Sequence, residues 1–242
     1  MFRIFIIKTL INFFDYFQQK KIFNFLRKKI IGNAILFDVG AHYGETIKNF
    51  IKYFKIKEIH SFEASPKNFE ILNKKFKNNI DTKIILNNFG LSNETKIVLF
   101  NQFSESSSST LSKINKNSRY FKRKIEVLGL KKNQNYFKNI EVKLQLLDEY
   151  LMKSNITSID LLKIDTEGHE YYVLKGSLKN LSKIKYIYFE HHYDDMLKKG
   201  YTFSDIHNFL KKNDFEKIFK SKMYFRKTFE YIYKNSKFDL KQ

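Results

Sequence analysis

The chain has 242 residues, with 45 lysines and arginines against 25 acidic residues, no cysteine, no tryptophan and one proline. This length suits one α/β domain with an insertion, and the lack of cysteine excludes a disulfide framework, a cysteine-ligated zinc site and thiol catalysis. Only five of the basic residues are arginine, so the net charge of +20 does not by itself indicate a nucleic-acid partner.

The N-terminal segment, residues 1–34, is rich in phenylalanine and isoleucine, but charges interrupt every run that could span a membrane. No small-residue cleavage site follows, so the segment does not resemble a signal peptide. Its apolar residues recur at near-helical spacing and predict an amphipathic helix. The helix either packs on the domain core or makes a peripheral membrane contact through residues 1–31. The apolar residues in question are Phe2, Phe5, Ile6, Phe13 and Phe17.

Residues 35–242 show the alternation of strands and helices that is typical of a parallel sheet covered on both faces. Apolar residues at helical spacing separate the first strands, and the second helix begins at Pro66 after an N-cap at Ser65. The first three predicted strands are Ile35–Val39, Glu58–Glu63 and Thr82–Asn88.

Residues 92–143 break this alternation, and we interpret them as an insertion. They contain a predicted strand at Lys96–Phe100 and a serine-rich tract from Ser104 to Ser112. The stretch from Leu111 to Lys143 has ten basic residues and two acidic ones. A solvated loop and a lid over the substrate are both consistent with this composition.

After the insertion the alternation resumes and ends in a predicted β-hairpin. No repeat or linker interrupts it, so we predict a single domain over residues 35–242. The predicted strands are Glu141–Leu147, Ile159–Asp165, Lys185–Glu190 and two hairpin strands near Phe215–Lys220 and Met223–Tyr233. The predicted helices are Asp148–Lys153, a helix with its apolar face from Val173 to Leu181, and Ser204–Lys212.

The turn after the first strand is the first candidate ligand site, because open α/β sheets bind ligands beyond the carboxyl ends of their strands. Asp38 precedes a glycine turn that runs from Gly40 through His42 to Gly44. The glycines allow close backbone approach. A carboxylate at Asp38 disfavours a pyrophosphate and favours a neutral or cationic group, such as an amino-acid moiety. A purely structural turn is the alternative.

Glu63 ends the second strand, nineteen residues after Gly44, where a carboxylate can accept both hydroxyls of a ribose. The turn and this acid together indicate an adenosine-containing ligand, either a dinucleotide or S-adenosylmethionine. Asn87 and Asn88 follow the third strand and are candidates to contact the adenine edge. An asparagine turn ahead of Gly90 is an equally good interpretation.

A second cluster follows the Ile159–Asp165 strand. Asp165 ends a buried strand and is predicted to point into the crevice, whereas Glu167 and Glu170 suit the ordinary role of acids in the first turn of a helix. We therefore single out Asp165 as a candidate for chemistry.

The next strand ends in Glu190, His191 and His192. If the two strands are neighbours, Asp165, Glu190 and His192 lie side by side as a general base or as ligands of a divalent metal, Mg or Mn. His191 is the remaining catalytic candidate, although side-chain alternation turns it to the opposite face from its neighbours. A hydrogen-bonded structural role fits at least one of the two histidines.

These segments together resemble the FkbM family of S-adenosylmethionine-dependent methyltransferases. The resemblance spans roughly residues 35–233, and only the third segment is distinctive, since many class I methyltransferases share the first two. The segments are FDVGAHYGE (Phe37–Glu45), FEASP (Phe62–Pro66) and LLKIDTEGHEYYVLKG (Leu161–Gly176), with FEHH (Phe189–His192) as a further match.

The resemblance implies a Rossmann-like class I methyltransferase fold: a mostly parallel seven-stranded sheet with helices on both faces and a C-terminal β-hairpin. It implies that Asp38, Gly40 and Glu63 hold S-adenosylmethionine. From their places in the turn and after the third strand, we also predict His42, Gly44 and Asn88 as cofactor-binding residues. It also implies methylation of a hydroxyl oxygen on a sugar, a glycan or a related small molecule.

Three other functions stay open. An RNA ribose 2′-O-methyltransferase fits the fold, although the scarcity of arginine disfavours a nucleic-acid partner, and the single proline excludes the [DN]PP[YF] motif of base-amino methylation. A nicotinamide-dependent oxidoreductase would share the acid at the end of the second strand, but this sequence lacks the GxGxxG turn typical of such enzymes. A non-catalytic binding module with the same fold would not need the acids at the strand ends, which are all present here. We expect a cytoplasmic protein, or one peripheral to the inner face of the membrane, whose basic insertion suits a phosphate-bearing acceptor.

Overall fold

The computed structural model describes residues 2–104, 108–130 and 135–238. The strands are β1 (Ala34–Val39), β2 (Ile56–Phe62), β3 (Ile84–Asn87), β4 (Gly90–Leu91), β5 (Lys96–Phe103), β6 (Lys113–Ile114), β7 (Phe137–Gln145), β8 (Ile159–Ile164), β9 (Ile184–His192), β10 (Leu197–Lys198), β11 (Phe215–Lys222) and β12 (Thr228–Asn235). The helices are α1 (Phe2–Arg27), α2 (Glu45–Tyr53), α3 (Pro66–Phe76), α4 (Arg119–Leu128), α5 (Leu147–Met152), α6 (Glu170–Lys175) and α7 (Phe203–Lys212), with a 3₁₀ helix at Leu178–Lys183.

Seven strands form the central sheet in the order β11-β12-β9-β8-β1-β2-β3. The five neighbouring strands β9, β8, β1, β2 and β3 all run parallel to one another. Strand β12 runs antiparallel to both of its neighbours, β9 and β11. All six residues of β1 are buried, as expected for a strand covered on both faces. The prediction of a mostly parallel seven-stranded sheet with a C-terminal hairpin is therefore confirmed.

Parallel pairing brings the strand ends to one edge of the sheet. Val39 lies opposite Phe62 on one side and Ile164 on the other, and Ile164 lies opposite Phe189. The chain leaves β1 toward β2 and returns to its other side at β8, so the strand order reverses there. This is the position at which such sheets form a ligand crevice.

Successive residues of each strand point to opposite faces, so the sheet separates two hydrophobic cores. Leu162 packs in the core with α5, α6 and α7, whereas Leu161 packs in the core with α1, α2 and α3. The second half of α1 contributes Ile22, Phe23 and Leu26 to the latter core, where each is at most 1% exposed. The side chains of Phe2 and Phe5 lie outside the described residues, and the separation of residues 1–34 from residues 35–242 stays a prediction.

The insertion is built on a small second sheet, in which β5 pairs antiparallel with β7 and β4 pairs with the end of β7. Thr110 and Ser112 of the serine tract are buried. The Thr110 hydroxyl donates to the Glu167 carbonyl at 2.6 Å, and the Ser112 hydroxyl donates to the Gly168 carbonyl at 2.9 Å. This part of the tract is thus a fixed support for the loop between β8 and α6, while residues 105–107 and 131–134 lie outside the described ranges.

The prediction of one helix from Val173 to Leu181 is wrong. The helix ends at Lys175, and the chain restarts as a 3₁₀ turn. A Cβ on Gly176 would lie 1.8 Å from the Ser92 carbonyl oxygen, so the backbone packs directly on a residue far away in sequence. The buried Asp148 carboxylate accepts hydrogen bonds from the backbone amides of Lys179 and Asn180, in the first turn of the 3₁₀ helix. These hydrogen bonds fix the start of that helix.

Within the described residues, no helix combines the length and the apolar composition needed to cross a bilayer.

Candidate active site

A cavity of about 1280 Å³ opens beyond the carboxyl ends of β1, β2, β8 and β9. Its floor is the set of turns that follow these strands, and α1, α4 and the β11–β12 turn cover it. Sites for a single drug-sized ligand usually have a volume of about 300–1000 Å³. The cavity therefore has room for a cofactor together with a second molecule.

The turn between β1 and α2 forms one end of the cavity. Gly40 has φ +85°, and a Cβ there would lie 1.9 Å from the backbone oxygen of Asp165. Its backbone N–H and that of Ala41 both donate to the Phe62 carbonyl, at 2.9 and 3.0 Å. Only glycine combines the positive φ with the absence of a Cβ that the close approach of Asp165 requires. The turn is therefore fixed against the ends of β2 and β8.

Glu63 follows β2 and is buried, with its carboxylate held by backbone amides on both sides. Oε2 accepts from His42 N at 2.8 Å, and Oε1 accepts from Ser65 N at 2.9 Å. Burial raises the pKa of Glu63 to about 7, although these hydrogen bonds oppose the shift. Oε1 also accepts a long hydrogen bond from Asn68 Nδ2 at 3.5 Å. Oε2 has a second lone pair beyond the one that His42 N uses, so the carboxylate is positioned to accept a hydroxyl group from a ligand in the cavity.

Gly40, His42 and Glu63 line the cavity, while the other three cofactor candidates lie behind it. Asp38 is fully buried, and burial raises its pKa to about 6 although Lys163 Nζ lies 3.8 Å from Oδ1. Gly44 is the N-cap of α2 and packs against the Phe76 ring. Asn88 donates to the Glu63 carbonyl at 3.0 Å. These three positions support the turn and the strand end that face the cavity.

Asp165 follows β8, the strand beside β1, and lines the cavity with 35% of its side chain exposed. Lys163 is two residues earlier on the same face of β8, and its ammonium donates to Asp165 Oδ2 at 3.1 Å. Although burial raises the pKa of Asp165, the charge of Lys163 holds that pKa below its ordinary value. Asp165 is therefore an ionised carboxylate in the cavity at neutral pH.

His192 lies beside Asp165 between two further carboxylates. Its Nε2 is 3.3 Å from both Glu167 Oε2 and Glu190 Oε1. Burial opposes the charged ring, but the Glu167 and Glu190 carboxylates, with Asp194 on the other ring nitrogen, raise the pKa of His192 to about 9. Burial and the charge of Asp165 raise the pKa of Glu190 well above its ordinary value. Glu167, Glu190 and Asp194 thus surround the single protonated ring of His192.

His191 lies apart from this cluster. It does not line the cavity, and its Nε2 is 3.3 Å from Lys199 Nζ among the rings of Tyr193 and Phe203. Burial and the lysine charge lower the pKa of His191 to about 3. We therefore leave His191 out of the catalytic set that we propose below.

Lys163 and Glu167 are the site residues that sequence reasoning missed. A lysine inside a buried strand, two positions before Asp165, was a usable signal because alternate residues share a face. Glu167 resembled an ordinary first-turn acid, but it lies before the helix with φ +50°, a left-handed conformation that is rare outside glycine. Such backbone strain tends to cluster at functional sites.

Asp165, Glu190 and His192 do not form a preformed metal site in the structure. Among the residues that the structure describes, no group of three or more histidine, aspartate or glutamate side chains is arranged to hold a metal ion. His192 instead makes its close contacts with Glu167 and Glu190.

Comparisons with known proteins show the fold and the family of the chain. Residues 38–217 match the family model described as the methyltransferase FkbM domain. The structure is similar to the crystal structure of methyltransferase FkbM from Methylobacillus flagellatus KT, with a TM-score of 0.54 and 15% identity over 84% of this chain and 43% of that one. No curated protein matches the chain.

Two further solved structures share the fold. One is TrmK of M. capricolum in complex with S-adenosyl-homocysteine, with a TM-score of 0.51 and 12% identity over 88% of this chain and 67% of that one. The other is an rRNA methylase from Streptococcus thermophilus, with a TM-score of 0.50 and 9% identity over 89% and 94% of the two chains. At these identities the structures show the fold alone, and the chain spans less than half of the Methylobacillus protein. The family match covers most of the chain, which therefore belongs to the FkbM family of S-adenosylmethionine-dependent methyltransferases.

Proposed function

We propose that this protein methylates a hydroxyl oxygen of a sugar, a glycan or a related small molecule. The observation that carries the proposal is the ionised Asp165 carboxylate, which lies in the same cavity as the glycine turn and Glu63. One end of the cavity suits a nucleoside and the other suits removal of a proton from an alcohol.

The residues of the first end fit S-adenosylmethionine. Glu63 would accept the ribose hydroxyls, the bare α-carbon of Gly40 leaves room for close approach, and Phe62, Leu91 and Leu144 provide an apolar wall for a base. When bound, S-adenosylmethionine supplies an electrophilic methyl group.

The protein's own part in the chemistry is to align the acceptor and to take its proton. Asp165 is the general base, because its carboxylate is ionised at neutral pH and partly open to the cavity. Lys163 holds it in place. His192 is charged at neutral pH because its pKa is raised to about 9, and the Glu167 and Glu190 carboxylates stabilise that charge.

The cover of the cavity has an apolar inner surface. Leu10 and Ile11 of α1, Val127 and Leu128 of α4, and Met223 of the β11–β12 turn are apolar residues on its lining. A bound acceptor that fills the space beneath them would displace water from the site, which would favour transfer to its hydroxyl over transfer to water.

A phosphate group on the acceptor suits the charges of the covering helix. Arg123 and Lys124 project from α4 into the cavity lining, opposite the acidic floor. They would bind an anionic group while the acceptor hydroxyl reaches Asp165. A sugar phosphate or nucleotide sugar has both features.

A panel of acceptors tests the proposal through release of S-adenosylhomocysteine. We expect turnover with sugar phosphates or nucleotide sugars, and we expect the turnover to fall steeply as salt screens Arg123 and Lys124. Turnover on RNA with free 2′-hydroxyls, and none on sugars, would replace the proposed acceptor by RNA. Salt-insensitive turnover on a phosphorylated acceptor would remove the role of the two basic residues.

Asp165→Asn tests the assignment of the base. We expect it to lower turnover by about 10²–10⁴-fold, the usual contribution of a positioned base. Affinity for S-adenosylhomocysteine, measured by isothermal titration, should stay nearly unchanged. Glu70→Gln, which alters an exposed carboxylate on α3, serves as the control with full turnover. An equal loss of cofactor binding in Asp165→Asn would refute this division of roles.

A further inference from the structure

The first half of α1 has an apolar stripe that faces solvent. Ile6, Leu10, Phe13 and Phe17 follow one another at spacings of four, three and four residues, so they lie along one side of the helix. Each of them is between 40% and 54% exposed. The stripe therefore does not belong to the core that holds the second half of the same helix.

The β11–β12 turn extends this apolar surface. Tyr224 and Phe225 at its tip are 51% and 60% exposed. The ring of Phe14 lies 4.8 Å from that of Tyr224 and 5.4 Å from that of Phe225. The stripe and the turn thus form one continuous surface, which we name the aromatic ridge: Ile6, Leu10, Phe13, Phe17, Tyr224 and Phe225.

The helix that carries the aromatic ridge is strongly basic in sequence. Helix α1 contains five basic residues and a single acid, Asp15. That acid is paired with Arg226 of the turn at 2.6 Å. Lys52 adds its ammonium 5.9 Å from the ring of the exposed Tyr16. An exposed apolar surface on a basic helix marks an interaction site, and its complement is an apolar layer with a negative surface.

We propose that the aromatic ridge docks on the surface of a bilayer that contains anionic lipids. Aromatic and aliphatic side chains would enter the boundary between headgroups and acyl chains, while lysines and arginines contact the headgroups. A second copy of the chain fits this surface less well, because pairing two copies of α1 would bring two strongly basic helices together.

Docking would also orient the cavity. Leu10 and Phe225 belong to the aromatic ridge and to the cavity lining at once. The cavity therefore opens beside the docking surface, at the level of the headgroups. If the proposed function holds, this orientation brings a hydroxyl carried by a membrane lipid within reach of Asp165.

The experiment uses the absence of tryptophan from the chain. Single substitutions Phe13→Trp, Tyr224→Trp and Leu99→Trp each introduce one fluorophore at an exposed apolar position, the last on β5 as the control. The proteins are mixed with phosphatidylcholine vesicles with and without phosphatidylglycerol. We expect a blue shift, and quenching by brominated acyl chains, for Phe13→Trp and Tyr224→Trp on the anionic vesicles only. Added salt should reduce both effects.

The proposal is overturned if neither probe responds to anionic vesicles, or if Leu99→Trp responds as strongly as the other two. A blue shift of Phe13→Trp that grows with protein concentration without vesicles would identify the aromatic ridge as a contact between copies, and would also overturn it. Titration of each variant with S-adenosylhomocysteine separates this result from the proposed function, since we expect cofactor affinity to be unchanged in all three.

Discussion

Gly40 is the residue on which the contact between the β1–α2 turn and the end of β8 depends. We expect Gly40→Ala to lower the free energy of unfolding by about 2–5 kcal/mol, from the left-handed backbone and the clash with the Asp165 carbonyl together. Gly32→Ala is a matched control, because Gly32 also has φ +87° but a Cβ there meets nothing within 4 Å. It should lose only about 1–2 kcal/mol in urea unfolding. Equal losses would show that the contact with Asp165 adds nothing.

His192 makes stability depend on pH. Its pKa is raised from 6.5 to about 9 in the folded protein, so its contribution is fully present below pH 6.5 and is lost as the pH rises through 9. The loss is on the order of 3 kcal/mol. The raised pKa values of Asp38 and Glu63 act at lower pH, below about 7. We expect His192→Gln to flatten the decline in stability above pH 7, and a decline as steep as that of the original protein would contradict this assignment.

Part of the site follows from single residues and the rules of strands. Strand order and alternation were enough to predict that Asp165, Glu190 and His192 approach one another and that His191 points away. The positions of Asp38 and Asn88 behind the ligand-facing surface were not predictable, because they depend on contacts with Lys163 and with the Glu63 backbone. Glu167 was missed since its approach to His192 requires a left-handed turn.

Among the elements, α1 has two halves with different roles. Phe23 is buried in its second half, with its ring 5.5 Å from that of Tyr53 and 6.4 Å from that of Tyr188. We expect Phe23→Ala to cost about 3–5 kcal/mol, as for other buried aromatic residues. Phe13→Ala, on the exposed half, should stay within about 0.5 kcal/mol of the original protein in chemical unfolding. A small effect at Phe23 would mean that α1 is not part of the core.

The elements of the central sheet were predictable because buried parallel strands are short, apolar and separated by amphipathic helices. The observed bounds of β1 and β8 differ from the predicted ones by one residue at one end. The break after α6 was not predictable, because it results from the packing of Gly176 on Ser92. The buried part of the serine tract is a similar case, since its hydroxyls bind carbonyl groups more than fifty residues away.

For the whole molecule, the distribution of charge matters more than the net value of +20. Glu63, Asp165 and Glu190 line the cavity at the strand ends, so carboxyl groups gather on its floor although the protein is strongly basic. Basic residues lie on the cover of the cavity and along α1. This separation suits an electrophilic cofactor on the floor and an anionic partner at the opening.

Isothermal titration with S-adenosylhomocysteine tests the central claim, that the β1–β2 end of the cavity is the cofactor site. We expect the unaltered protein to bind it. We expect Glu63→Gln to weaken binding by at least about tenfold, because the amide nitrogen that replaces a carboxyl oxygen cannot accept a hydrogen bond. Glu167→Gln, at the other end of the same cavity, should bind as tightly as the unaltered protein. No binding by the unaltered protein, or equal affinities for Glu63→Gln and Glu167→Gln, would contradict the account.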